Sequence, residues 1–117
     1  MASRSFRNNS PGNLRFGKFA KDRGAVDDGD SYARWETPIQ GLAAMVSLLA
    51  LKSYREMTVP QMIERYAPSA DKNNPKEYSD YIMQRAGIPP EQQMGHLDPF
   101  QVLRVLEAMT RYEGWKS

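Results

Sequence analysis

Glu113 stands where a carboxylate is least at home. On a helical wheel of 100° per residue, Val102, Leu106 and Met109 fall in line at spacings of four and three, and a further step of four reaches Glu113. Arg104, Glu107 and Arg111 take the opposite, solvated face. Glu113 also ends the helix, where the macrodipole is negative and opposes a second negative charge. Apolar neighbours and helix end together are expected to raise its pKa. A carboxyl kept protonated near neutral pH can give its proton to the leaving oxygen of an acetal. The alternative on the pattern alone is that the helix frays and Glu113 simply reaches water.

The remaining chemical groups offer less. His96 is the sole histidine, so neither a multi-histidine metal site nor a Ser-His-Asp triad has material to build on, and His96 reads as part of a surface turn. Asp27, Asp28 and Asp30 lie together in a polar loop. Their spacing fits no EF-hand, and they read as a solvated acidic turn, although one of them, or Glu36, could supply a second carboxylate. No glycine-rich phosphate loop follows a strand. Tyr78, Tyr81 and Tyr112 recur at helical spacings and read as core before sugar platform. Trp35 reads as core, and Trp115 could stack on a sugar ring.

The elements that must position these groups are mostly helices. Thr37-Pro38-Ile39-Gln40, Thr58-Val59-Pro60-Gln61, Asn74-Pro75-Lys76-Glu77 and Asp98-Pro99-Phe100-Gln101 share one plan. Each places a side-chain oxygen at the N-cap, Glu or Gln three residues later and proline in the first turn. They predict helices over about 38–52, with Leu42, Met45, Val46 and Leu49 buried, over 59–66, from 75 to Gly87, and over 99–113 before Gly114. Residues 89–94 add one turn. Leu14-Arg15-Phe16 and Tyr32-Ala33-Arg34-Trp35 alternate as short strands of one hairpin. The expected fold is mainly α (α+β), a single domain over 1–117, with loop and small N-terminal hairpin in 1–36 and helices in 37–117.

Bulk composition narrows the function classes. The chain has 117 residues, 16 Lys+Arg against 14 Asp+Glu, and no cysteine. A net charge of +2, evenly spread, does not announce a nucleic-acid binder. The absence of cysteine excludes disulfides and thiol chemistry. No apolar stretch is long enough for membrane insertion, and residues 1–9 lack a signal-peptide core.

Arg7-Asn8-Asn9-Ser10-Pro11-Gly12-Asn13-Leu14-Arg15 resembles the RNNNPxNIR opening of a group of small phage and prophage proteins. These are often labelled phage structural proteins and are similar to lysozyme-like cell-wall hydrolases. The likeness runs through Tyr32 to Pro38, Gly41 to Ala44, Arg65-Tyr66-Ala67-Pro68, Asn74 and Tyr78. It closes on Ala108-Met109-Thr110-Arg111-Tyr112-Glu113-Gly114, like the group's terminal AM-x-R-x-EN-G. Ser10 stands for an asparagine, Gly114 directly follows the glutamate, and the segment after Pro68 is one residue longer.

The resemblance implies a lysozyme-like fold and cleavage of the β-1,4 bond between N-acetylmuramic acid and N-acetylglucosamine in peptidoglycan. Lytic transglycosylases place a glutamate helix before an asparagine-rich loop, and here the order is reversed, as in a circular permutation. Asn13 and Arg15 would then lie beside Glu113 in one groove. Glu113 would act as general acid, with Asp28 or Asp30 as second carboxylate. Asn9, Asn13, Arg15, Tyr32, Tyr78 and Trp115 would bind the glycan, and no metal or organic cofactor is required. Water as acceptor makes the enzyme a muramidase, and the muramic 6-hydroxyl makes it a lytic transglycosylase; both stay open. The rivals are a non-catalytic glycan-binding or structural component of a phage particle or secretion apparatus, and a protein adaptor with a methionine-rich surface. The expected partners are peptidoglycan, an immunity protein and a delivery apparatus. The expected site of action is the periplasm or cell wall, after synthesis in the cytoplasm and phage or secretion-system delivery.

Overall fold

The computed structural model describes residues 2–68 and 73–115. The fold is mainly α with a small β hairpin, and the chain divides into two compact units, Met1–Leu48 with Thr110–Ser117, and Leu49–Met109. The elements run α1 (Arg4–Arg7), α2 (Lys18–Lys21), β1 (Val26–Asp27), β2 (Ala33–Arg34), α3 (Pro38–Leu49), α4 (Lys52–Arg55), α5 (Val59–Tyr66), α6 (Pro75–Ala86), a 3₁₀ turn (Met94–His96) and α7 (Pro99–Tyr112).

All four predicted caps form. The backbone N–H groups of Gln40, Gln61, Glu77 and Gln101 donate to the side chains of Thr37, Thr58, Asn74 and Asp98, at 2.8–3.4 Å. The Gln40, Gln61 and Gln101 side chains accept the return bond from the cap backbone, which completes three capping boxes. α6 stops at Gly87, which takes a left-handed φ of 68° and donates its N–H to Met83 O. The short helices α1, α2 and α4 carry no long apolar period and escape a reading based on periodicity.

In the first unit β1 and β2 pair antiparallel, Val26 opposite Arg34 and Asp27 opposite Ala33. Residues 14–16 also pair antiparallel with the Tyr32 segment, as expected, and β1 is the strand that the alternation pattern did not give. Arg15 contributes only an isolated bridge to Tyr32, flanked by Phe16 N–H to Ser31 O and Ala33 N–H to Leu14 O. β1 pairs because the aspartate turn folds it straight back: Asp27 Oδ1 accepts from Gly29 and Ser31 N–H, a closure only local residues can make. Leu14, Ala25, Ala33, Trp35, Ala44 and Met45 are buried here, together with the polar Ser5, Asn8 and Ser10.

The face of α3 is also rotated from the expected stripe. Gly41, Ala44, Met45 and Leu49 are buried, whereas Leu42 and Val46 are 41% and 44% exposed. The smallest residues take the inner face because the Asn9 backbone passes directly over Gly41.

The second unit buries Tyr54, Val59, Met62, Ile63, Tyr78, Ile82, Ile88, Met94, Val105, Ala108 and Met109. α5 packs on α6, Thr58 bridges to Gln93, and the turn expected over 89–94 is closed by Gln92 N–H donating to Pro89 O at 3.2 Å. The buried line of α7 is Val105–Ala108–Met109, with Val102 exposed. Glu113 itself lies beyond the last residue of the helix, Tyr112. The segment after Pro68 in which the sequence departs from the phage group falls at 69–72, outside the described residues.

Candidate functional site

The loop over 8–13 and the segment over 113–115 meet within the first unit. Glu113 lies just past the last turn of α7 and is half-buried. Asn13 Nδ2 donates to Glu113 Oε1 at 3.2 Å, across 100 residues of sequence. Asn13 adopts a left-handed φ of 51°, a conformation asparagine tolerates better than most residues, and this turns its amide toward the carboxylate. Its Oδ1 is buried and meets no hydrogen-bond donor among the described residues.

The backbone of the glutamate is held separately from its carboxylate. Ser5 Oγ donates to Glu113 O at 3.0 Å and Ser3 Oγ to Gly114 O at 2.8 Å, while Gly114 turns the chain with φ 87°. These bonds satisfy carbonyls that a helix end leaves without intrahelical partners. α1 thus acts as a clasp on the end of α7, a role its four residues did not advertise. Phe6 and Trp115 rings lie 5.3 Å apart at 38°, so Trp115 presents part of its surface to the protein.

Asp28 belongs to a different network. Its Oδ2 accepts from Asn8 Nδ2 at 2.8 Å, and its Oδ1 accepts from the N–H groups of Asp30 and Tyr32 at 2.7 and 3.1 Å. Desolvation pushes the Asp28 pKa up, but the Asn8 bond, the two backbone bonds and the charge of Arg4 outweigh it and hold the carboxyl below its ordinary range. Asn8 is itself buried, with Oδ1 accepting from Arg34 Nε at 3.2 Å. Asp28 is therefore an ionised pin for the hairpin. Asp30 has an exposed side chain and contributes its backbone N–H to Asp28, and Glu36 is exposed as well.

The other expected site residues divide clearly. Arg15 lies 5.1 Å from the centroid of the Tyr32 ring, and Tyr32 is half-buried, so both stand in the first unit with Asn13 and Glu113. Asn9 commits its amide nitrogen to Trp35 O and Glu36 O at 2.9 and 3.1 Å, which shapes the loop and leaves that nitrogen engaged. Tyr78 is corrected: it is fully buried in the second unit, its hydroxyl donating to Met109 O, so it is core and offers no face to a sugar. His96 is exposed in the 3₁₀ turn.

Arg4, Ser5 and Asn8 were missed by the sequence reading. A serine flanked by arginine and phenylalanine gives no local signal that its hydroxyl will hold a residue 108 positions away.

Among the described residues no three His, Asp or Glu side chains converge to hold a metal ion, and no helix is long and apolar enough to cross a membrane. A depression of about 410 Å³ in the second unit is lined by Asn74, Lys76, Glu77, Asp80, Tyr81 and Gln84. Its main feature is the exposed Lys76–Asp80 ion pair, and none of the expected site residues reaches it. Compared with known proteins, the chain matches no protein-family model and no curated protein.

Proposed function

We propose that the chain cleaves the glycan strands of bacterial peptidoglycan, with Glu113 as general acid. The observation that carries this reading is the Asn13–Glu113 hydrogen bond. It joins the asparagine loop to the glutamate at the helix end, the two pieces that a permuted lysozyme-like site has to bring together. The resemblance of the opening and closing motifs to the phage group supplies the substrate.

In the proposed reaction the carboxylic acid of Glu113 gives its proton to the glycosidic oxygen between N-acetylmuramic acid and N-acetylglucosamine. The C1–O bond breaks, positive charge develops on the muramic ring, and the alcohol of the next sugar leaves. An incoming hydroxyl then bonds to C1 and returns its proton to Glu113. Asn13 Nδ2, donating to Oε1, fixes the plane of the carboxyl and directs the transferable proton to Oε2. Asn13 Oδ1 is an acceptor suited to a substrate hydroxyl or acetamido N–H.

Water or the muramic 6-hydroxyl could supply the nucleophile. A single glutamate suffices for attack by the 6-hydroxyl, which favours a 1,6-anhydro product. Both oxygens of Asp28 already accept N–H bonds that pin the hairpin, and attack by the 6-hydroxyl needs no second carboxylate to activate water. The same observation suits the rival reading, a phage or secretion component that binds glycan without cutting it.

Digestion of purified peptidoglycan by wild type and Glu113→Gln, with mass spectrometry of the soluble products, separates these. Release by wild type alone, with anhydro ends, is the expected result. A folded wild type that releases nothing across a broad pH range overturns the catalytic reading in favour of binding.

A further inference from the structure

An aromatic pair stands at the surface close to the backbone of the glutamate. Phe6 on α1 is 46% exposed, and its ring centroid lies 5.3 Å from that of the half-buried Trp115, the planes tilted by 38°. Chain geometry ties the pair to Glu113. Trp115 follows by two residues, so its Cα lies within about 7 Å of the Glu113 Cα. On the other side Ser5, the residue before Phe6, donates its hydroxyl to Glu113 O at 3.0 Å.

The backbone under both rings is braced. Phe6 N–H donates to Ser3 Oγ at 3.3 Å, and that hydroxyl donates to Gly114 O at 2.8 Å. Gly114 N–H donates to Arg111 O at 3.0 Å and Trp115 N–H to Thr110 O at 2.9 Å. The turn passes so close to α1 that a Cβ on Gly114 would stand 3.0 Å from Ser3 Cβ. The clasp itself is made by serine hydroxyls and a residue without a side chain. It does not account for an aromatic ring on each side of it, one of them nearly half exposed. Rings held on a braced turn lose little freedom when a ligand covers them, which favours binding.

A glycan strand suits such a surface. Each pyranose carries ring C–H groups on its faces and hydroxyl or acetamido groups at its rim. An aromatic ring can therefore take the face out of water while the rim stays solvated.

We infer that Phe6 and Trp115 form a stacking platform for a sugar ring of the glycan strand, near the bond that is cut. The inference rests on the proposed function for its choice of ligand. The platform recognises the sugar backbone and needs no peptide on the strand, so a neutral β-1,4-linked oligomer of N-acetylglucosamine serves as a probe.

The test is tryptophan fluorescence of the Glu113→Gln protein, which leaves the ligand intact. The chain has two tryptophans, and Trp35 is only 3% exposed, so quenching by acrylamide reports on Trp115. The tetramer of N-acetylglucosamine and purified peptidoglycan should each shield Trp115 from acrylamide, and the tetramer should shift its emission to the blue. In calorimetric titration with the tetramer, Phe6→Ala and Trp115→Ala should each weaken binding about tenfold, and Phe6→Leu, which keeps apolar bulk without a ring, about threefold.

The shielding measurement needs no change at either ring, so it decides the matter even where a variant folds poorly. Quenching of Trp115 that is the same with and without both probes overturns the inference, as does undiminished binding by folded Phe6→Ala and Trp115→Ala. An unshielded Trp115 in a protein whose wild type releases muropeptides removes the platform alone. Shielding in a protein whose wild type cuts nothing keeps the platform and removes the general-acid reading.

Discussion

Replacing Gly41 by alanine sets two physical effects against each other, and the structure decides the sign. Gly41 lies in the first turns of α3, where helix propensity alone makes alanine better by about 1 kcal/mol. A methyl group at this position would be driven into the carbonyl oxygen of Asn9, and would stand 3.1 Å from the Asn9 carbonyl carbon and from Pro11 Cδ. The obstacle is backbone, so no rotamer change relieves it. The loop is also pinned: Asn9 holds φ 52° with its amide on Trp35 O and Glu36 O, and Trp35 N–H donates to Asn8 O.

Overpacking against rigid surroundings costs about 1–3 kcal/mol, and a backbone obstacle belongs at or above the top of that range. Set against the propensity gain, the net loss is about 2 kcal/mol, which lowers Tm by roughly 8 °C for a chain of this size. Thermal unfolding followed by circular dichroism would read it, with the exposed Ser47→Ala in the same helix as the control that propensity should stabilise slightly. The displaced loop carries Asn13, so cleavage should fall further than stability explains. A Gly41→Ala protein at least as stable as wild type would refute the close approach and the loop placement derived from it.

Other substitutions probe separate parts of the molecule. Glu113→Gln keeps an oxygen for Asn13 to donate to, so Tm should hold within a degree or two while cleavage falls by about 10²-fold or more; comparable activity would show that another group supplies the proton. Asp28→Asn turns an amide toward the Asn8 amide, whose oxygen is already engaged by Arg34, and should cost about 1–3 kcal/mol by urea unfolding at pH 7. Folding lowers the Asp28 pKa, so the unfolded chain holds that proton more tightly. Its contribution is full above the ordinary aspartate value of 3.8 and vanishes as pH falls through the lower folded value, so wild type and Asp28→Asn should converge in acid. Gly87→Ala meets no atom within 4 Å and should lose only the left-handed backbone preference, about 1 kcal/mol, with Asn at the same position losing less.

The sequence by itself determined those features that are completed within a few residues. Thr37, Thr58, Asn74 and Asp98 cap their helices because donor and acceptor lie three positions apart, and Gly87 and Gly114 end α6 and follow α7 because only a left-handed turn is required there. The mainly α class follows from those starts and stops. Glu113 at the end of the last helix was legible for the same reason.

Tertiary structure decided everything that depends on a partner far along the chain. The buried faces of α3 and α7 are rotated from the apolar stripe, because a backbone passing over Gly41 and the packing at Val105, Ala108 and Met109 set which side turns inward. The pairing of β1 with β2, beside the expected bridge of Arg15 to Tyr32, lay with side-chain bonds to Asp27 and Asp28 that no alternation pattern records. Ser5, Arg4 and Asn13 gain their meaning from contacts with Glu113 and Tyr32 across much of the chain. Local hydrogen bonds close short loops at little entropic cost and can be read residue by residue. Contacts across 100 residues form only when the rest of the unit has already placed both ends.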